Sequence, residues 1–323
     1  MFIVPEAAIA DLVTPEDAFA AVEAVFAAMA RGEARNFPVV REALPGPEEA
    51  LYGFKGGVDA VGGALGLKAG GYCPHNLERR QLTNHQSTVF LFDPETGRPT
   101  AMVGGNLLTA LRTAAASAVS IAYLARRDAK VLGMIGAGHQ SVFQMRAAVR
   151  QRDFERVVGW NYHPDMLSRL ADCADELGLP FEAVSLEELG ARADVIVSIT
   201  SSNAPSLMDA HVRPGTHLAC MGTDTKGKQE VEAKLLARAA VFTDEVAQST
   251  TIGEAQHAVA AGTLRAQDIV ELGAVIEGRH PGRTSQAEVT VFDGTGVGLQ
   301  DLAVASAAVR RAVERGAAVE VAL

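Results

Sequence analysis

Cysteine, basic charge and long apolar runs are what this sequence has least of. The three cysteines, Cys73, Cys173 and Cys220, are odd in number, far apart and without metal-ligand spacing. They read as thiols in a reducing compartment and not as a metal centre. Lysine and arginine total 29 against 39 aspartates and glutamates, a formal net charge of −10, with the acids scattered along the chain. That balance favours solubility and offers no basic face to a nucleic acid. The opening MFIVPEAAIAD has neither a basic leader nor a long apolar segment, so it does not read as a signal peptide. The alanine-rich stretch 18–30 is interrupted by Glu23 and is too short to cross a bilayer. The expectation is a soluble, cytoplasmic protein with no nucleic-acid or membrane partner.

What is present is an ordinary globular composition, 48% hydrophobic and 21% charged over 323 residues, long enough to suggest two domains. Thr14-Pro15-Glu16-Asp17 is a helix start: the threonine caps, and the proline's missing N–H costs nothing in the first turn. Apolar residues then recur at helical spacing until Gly32 stops the helix. Short apolar runs at 51–54, 64–68 and 87–92, separated by Gly and Pro, predict a meandering sheet. Asp93-Pro94-Glu95-Thr96-Gly97 is a turn between two strands, and 108–124 a long alanine-rich helix.

From Lys130 the pattern changes to short apolar strands (131–135, 157–160, 195–200, 217–221, 240–243) alternating with helices. Such alternation predicts an α/β fold with a Rossmann-type, doubly wound parallel sheet. The last helix, about 300–314, is assigned back to the N-terminal domain. The expected domains are therefore 1–120 with 297–323, a discontinuous α+β domain, and 121–296, the Rossmann domain.

The segment VLGMIGAGHQS, 131–141, runs an apolar strand into a Gly-x-Gly turn and then a helix. Gly136 permits the tight turn, and Gly138 lets backbone N–H groups approach a pyrophosphate at the helix start. Ser141 stands where the third glycine of the fingerprint usually lies, and is small enough for close helix–strand packing. Alone the Gly-x-Gly pair is weak evidence; the strand–turn–helix setting strengthens it. Asn161 ends the second strand, where an acidic residue usually holds the ribose hydroxyls. Asparagine can bind a hydroxyl, and no Arg or Lys follows at once to grip a 2′-phosphate. This favours NAD(H), with NADP(H) the alternative.

Six segments, in order, resemble the ornithine cyclodeaminase/mu-crystallin family: GLK at 66–68, LFDPETGRP at 91–99, LTALRTAA at 108–115, IGAGHQS at 135–141, GTDTKGKQE at 222–230 and FDGTG at 292–296. The resemblance spans nearly the whole chain. It implies a homodimer, each subunit pairing a Rossmann domain with a substrate-binding and dimerisation domain. Activities in the family include ornithine cyclodeamination, alanine dehydrogenation and the reduction of imino acids such as iminosuccinate. One departure matters: where the family often has a Met-Pro pair upstream of the lysine strand, this chain reads Tyr52-Gly53-Phe54-Lys55-Gly56-Gly57.

Hydride transfer at an amino acid's α-carbon requires a held carboxylate and a managed proton on nitrogen. Lys68, in ALGLKAGGY, suits either task if it faces a sheet interior; on an edge strand it would simply face solvent. Arg112 follows an apolar run, where a charge is costly unless paired. The resemblance implies that Arg41, Lys68 and Arg112 bind the substrate carboxylate, with Lys68 and Asp224 as the catalytic pair. Asp224 follows the strand 217–221, at the edge where ligands gather in such sheets. For the cofactor the resemblance adds Arg112, Thr113, Asn84, Thr200, Ser201, Met221, Gly222, Lys228 and Gly294 to Gly136, Gly138 and Asn161. His139, through its backbone N–H, and Gln140 complete that set. His75 reads as a loop histidine, with a second carboxylate contact the alternative, and Glu48 and Glu49 are approximate candidates for the pocket glutamate of a cyclodeaminase.

These readings converge on NAD(P)H-dependent reduction of a small α-imino acid of the alanine or aspartate class, reversible as an L-amino acid dehydrogenase. The alternatives are an ornithine cyclodeaminase and a non-catalytic binding protein of the mu-crystallin type.

Overall fold

The computed structural model describes residues 1–45 and 50–322. The chain divides into two compact units, Met1–Arg112 with Val297–Leu323 and Thr113–Gly296. Glu48 and Glu49 lie outside the described residues.

In the first unit the strands are β1 (Phe2–Val4), β2 (Ala34–Asn36), β3 (Val40–Ala43), β4 (Leu51–Asp59), β5 (Ala64–Tyr72), β6 (His85–Phe92) and β7 (Pro99–Gly104). With the short strand Val319–Glu320 they form one mixed sheet, ordered Val319–Glu320, β1, β7, β6, β5, β4, β2, with β3 also paired to β4. β4 and β5 run longer than the apolar runs suggest, because the glycines that interrupt the pattern stay in the ladder. The helix Pro15–Arg31 has the expected start: Thr14 and Asp17 form a capping box, and Gly32 ends it at φ 77°. The Asp93 carboxylate closes the β6–β7 turn by accepting the N–H groups of Glu95 and Thr96.

The helix Gly298–Glu314 packs on the centre of this sheet. Leu299 and Leu302 are fully buried, and each contributes about 2 kcal/mol by leaving water. Glycines make the approach feasible: a Cβ on Gly57 would lie 3.0 Å from Leu299 Cδ2, and one on Gly66 2.9 Å from Leu302 Cδ2. At the start of helix Asn106–Leu124 the Glu6 carboxylate accepts the N–H groups of Asn106 and Leu107, at 3.0 and 2.7 Å. This helix is long and apolar enough to cross a membrane by composition, yet 83% of its apolar window is buried inside the protein.

The second unit contains β8 (Val131–Ile135), β9 (Arg156–Trp160), β10 (Phe181–Ala183), β11 (Val195–Ser198), β12 (Asn203–Leu207), β13 (His217–Cys220), β14 (Gln229–Val231), β15 (Ala240–Thr243), β16 (Val270–Glu271) and β17 (Thr290–Asp293). Eight of them form a parallel sheet in the order β10-β9-β8-β11-β13-β17-β15-β16, and β12 pairs with β14. The central strands β11, β13 and β17 are buried throughout, as helices on both faces require. The order reverses between β8 and β11, which opens a crevice at their carboxyl ends.

Candidate active site

In the first unit a set of ionisable side chains meets on one face of the sheet. Lys68 on β5 stands directly opposite Lys55 on β4, so both point to the same face, and both are buried. Asp301, from the helix Gly298–Glu314, is fully buried and pairs with Lys68 through Oδ2 at 2.9 Å and Oδ1 at 3.0 Å. Its Oδ1 also accepts the Arg112 Nε–H at 3.0 Å, and Arg112 Nη1 donates to Gln300 Oε1 at 3.1 Å. Thr109 Oγ1 lies 3.4 Å from both Lys68 Nζ and Ser87 Oγ.

The electrostatics follow from this geometry. Burial, then the positive charge of Arg112, pull the Lys68 pKa down from 10.5 to about 7; Asp301 opposes the shift and Lys55 adds to it. Asp301 stays below the usual carboxylate range because Arg112 and Lys68 outweigh its burial. His85 is held neutral, its pKa pushed down to about 3 by burial and by the charges of Lys68 and Arg112, with Arg41 contributing. Lys68 is thus a proton donor or acceptor poised near neutrality.

In the second unit the turn after β8 has a shape only glycine allows at its first position. Gly136 sits at φ 102°, and a Cβ there would lie 2.5 Å from Ile199 O. A Cβ on Gly138 would meet nothing within 4 Å, so the backbone is open on that side. Ser141 opens the next helix, Ser141–Ala148, and is fully buried with its hydroxyl on Gly138 O at 2.7 Å. Gln140 Oε1 is a buried oxygen without a hydrogen-bond partner among the described residues. Asn161 tethers the turn: its Oδ1 accepts the Ala137 N–H at 3.0 Å and its Nδ2 donates to His163 O at 2.8 Å. Arg169 Nη1 donates to Ala137 O at 2.9 Å, bringing a cation to the turn. The side chain of His139 is exposed and packs its ring 5.4 Å from that of Phe143.

The loops after β11 and β13 are joined by one carboxylate. Glu230 Oε1 accepts from Ser198 Oγ at 2.6 Å, Thr200 N–H at 2.7 Å and Thr200 Oγ1 at 2.9 Å, while Oε2 accepts the Gly222 N–H at 2.7 Å. Gly222 is pressed so close that a Cβ would lie 2.1 Å from Thr200 O. Glu254 backs this clamp by accepting the N–H groups of Glu230 and Val231, both at 2.9 Å. Burial, then the neighbouring Glu230 charge, raise the Glu254 pKa to about 8. Asp224 is bonded within its own loop, to Lys228 Nζ at 2.9 Å and Thr225 Oγ1 at 3.1 Å, and Lys228 also reaches Gly222 O at 3.3 Å. Met221 is buried, and a Cβ on Gly294 would lie 2.5 Å from its sulfur.

A parallel sheet with this strand order and this glycine turn defines a Rossmann-type dinucleotide-binding domain. The chain belongs to the ornithine cyclodeaminase/mu-crystallin family, whose model matches residues 6–316. It is 69% identical over 321 residues to the iminosuccinate reductase of Paracoccus denitrificans, with 99% of each chain covered. The crystal structure of that reductase in complex with NAD+ superposes with a TM-score of 0.95, at 68% identity, covering 100% of this chain and 99% of the other. An archaeal alanine dehydrogenase dimer with bound NAD superposes with a TM-score of 0.92, at 30% identity and 99% coverage of both chains.

Of the residues singled out from the sequence, Lys68 and Arg112 are brought together on Asp301, with Arg41 close enough to act on His85. Gly136, Gly138 and Asn161 meet at one turn, and Thr200 and Gly222 meet at Glu230. Thr113 is buried in the second unit, and Ser201 is exposed beside Thr200. Asn84 is engaged in the first unit, accepting the Leu77 N–H at 2.9 Å and donating to Tyr72 Oη at 3.4 Å. His75 precedes the helix Asn76–Arg80, 3.4 Å from the Glu78 carboxylate.

Sequence reasoning missed Asp301, Lys55, His85, Glu230 and Arg169. Asp301 did leave a trace. It lies at the i, i+4 spacing of Ala305 and Ala308's buried stripe, where an acid needs a partner. Glu230 left none, because its four donors come from two separate segments, at the ends of β11 and β13.

Proposed function

We propose that the protein reduces a small α-imino acid of the alanine or aspartate class to the L-amino acid with NAD(H), and runs in reverse as an L-amino acid dehydrogenase. The observation that carries this reading is the buried Lys68–Asp301–Arg112 cluster, which joins a fixed cation to a lysine able to exchange a proton near pH 7. It is supported by the 69% identity to an iminosuccinate reductase along essentially the whole chain.

The residues of the second unit fit a dinucleotide. Gly138 leaves the backbone open, Gln140 holds a buried oxygen unpartnered among the described residues, and Arg169 supplies positive charge beside the turn. Gly136, Gly138, His139 and Gln140 would hold the pyrophosphate end, Asn161 the ribose, and Thr200, Ser201, Met221, Gly222, Lys228 and Gly294 the remainder, with Asn84, Arg112 and Thr113 completing the set. When bound, NADH supplies the hydride that the imine carbon accepts.

This chain's own residues do the rest. Arg112, fixed by Asp301 and Gln300, presents its fork to the α-carboxylate together with Arg41. Protonated Lys68 donates its proton to the imine nitrogen, giving the more electrophilic iminium. Neutral Lys68 receives that proton in the reverse direction. Asp224, held by Lys228, is the second acid–base candidate. The same reading makes the protein a cytoplasmic homodimer. Val40, Tyr52 and Phe54 support that assembly by leaving an apolar patch on the sheet face opposite Lys55, each at least 40% exposed.

The test is NADH oxidation with a panel of 2-oxo acids plus ammonia, which form the imines in solution, alongside ornithine without NADH. Stoichiometric NADH loss, with Lys68→Ala folded and slower by about a hundredfold or more, is the expected result. Release of ammonia from ornithine without net cofactor change would make the protein a cyclodeaminase instead.

A further inference from the structure

Asp224 and Lys228 sit on a loop that their own pairing cannot fix. Their side chains are 30% and 23% exposed, and an ion pair so open to water contributes about 1 kcal/mol or less. Gly227 between them takes φ 92°, a conformation that only glycine enters freely and that it leaves as freely. The loop 223–231 must take its shape from elsewhere in the second unit.

The helix Gln256–Ala260 and the two residues before it supply that shape. The Glu254 carboxylate holds both ends of the loop, accepting from Thr223 Oγ1 and from the Glu230 and Val231 N–H groups. Gln256, buried at 9% exposure, holds the middle. Its Oε1 accepts the Gly227 N–H at 2.7 Å. Its Nε2 donates to Gly253 O at 2.8 Å and reaches Thr225 O and Lys228 O, both at 3.4 Å. One amide thus bridges the two flanks of the turn and the glycine between them. His257 Nε2 adds a bond to Lys228 O at 3.0 Å. The support is itself anchored: Asp293, at the end of β17, accepts the Ala255 N–H at 3.1 Å and the Ser249 hydroxyl. A Cβ on Gly253 would lie 2.5 Å from the same carboxylate, so this segment is pressed against it.

We infer that Gln256 is a positioning residue for the reaction: it fixes the turn 225–228 and, through it, the pairing of Lys228 with Asp224. The inference rests on the reductase reading above, with Asp224 as an acid–base group, and deepens it. Gln256 touches neither substrate nor cofactor in this scheme. It acts by keeping Lys228 Nζ on the Asp224 carboxylate, at 2.9 Å, when the loop's own polar residues would let it wander.

The experiment is a double-mutant cycle of Gln256→Ala and Lys228→Ala, read as NADH oxidation at saturating NADH. The substrate is oxaloacetate or pyruvate with ammonia, whichever imine the wild type reduces faster. Each single variant should lower kcat by about tenfold, because a reacting group is misplaced. KM for the imine in Gln256→Ala should move by less than about threefold, since the carboxylate is held by residues of the first unit. The double variant should fall no more than about twofold below the slower single one, as two changes that break the same arrangement do not add. Independent losses, multiplying to about a hundredfold, would overturn the assignment, and so would wild-type kcat in either single variant or a loss confined to KM. Should Gln256→Ala not fold, Gln256→Met, which keeps the volume and removes the hydrogen bonds, takes its place in the cycle. A wild type inert towards both imines defeats the reductase reading and the inference with it, whereas multiplied losses in an active enzyme defeat the inference alone.

Discussion

Asp301 grips Lys68 with both carboxylate oxygens, at 2.9 and 3.0 Å, although the two residues lie 233 positions apart in the chain. The aspartate favours the protonated lysine against the burial that disfavours it. Asp301→Asn keeps the shape and removes the charge. The Lys68 pKa should then drop below about 7, leaving less protonated lysine at neutral pH. Reduction at pH 7 should slow by about tenfold for each unit of downward shift, with recovery in more acidic buffer. A pH–rate profile that does not move would show that Asp301 only fills space.

The same lysine predicts opposite limbs for the two directions. Reduction needs the protonated form, so its rate should fall as pH rises through about 7. Amino acid oxidation needs the neutral form, so its rate should rise through the same range. Profiles of kcat/KM in both directions check this, and limbs that run in parallel would remove Lys68 from proton transfer.

The two glycines of the turn should behave differently when given a Cβ. Gly138→Ala adds a methyl where nothing lies within 4 Å, so the fold should stand while KM for NADH rises by about tenfold or more. Gly136→Ala forces an L-residue to φ 102° and against Ile199 O, and should destabilise the protein by about 1–3 kcal/mol. Thermal melts and cofactor titrations of both variants distinguish the two effects.

Glu230 fastens Thr200 to Gly222 without itself being part of the predicted cofactor set. In Glu230→Gln one of the four donors faces an NH2 group instead of an oxygen, at a cost of about 1–3 kcal/mol. The expected signature is a lower Tm with KM for NADH raised more than kcat is lowered. Unaltered cofactor affinity in a folded variant would reduce Glu230 to a structural role.

How far these features can be read from sequence depends on how local they are. The Gly136 turn, the Thr14 cap and the Asp93 turn are each specified within a few residues, and the strand–helix alternation after Lys130 marks the parallel sheet. Lys68 and Arg112 stand out as charges in apolar surroundings. Their partner does not, because Asp301 reaches them from a helix near the far end of the chain. Lys55 was visible as a departure from the family pattern, yet its placement opposite Lys68 depends on strand register, which composition does not reveal. Glu230 looks like any acid in a polar loop until the ends of β11 and β13 are seen beside it.

A lysine poised at about 7 gives the cluster two charge states within the physiological range. If Lys68 surrenders its proton to the imine nitrogen, the face that welcomed an anion becomes one charge less attractive as the amine forms. Delivery of the proton and loosening of the grip on the product are then one event. The enzyme would need no moving part to favour departure over re-oxidation.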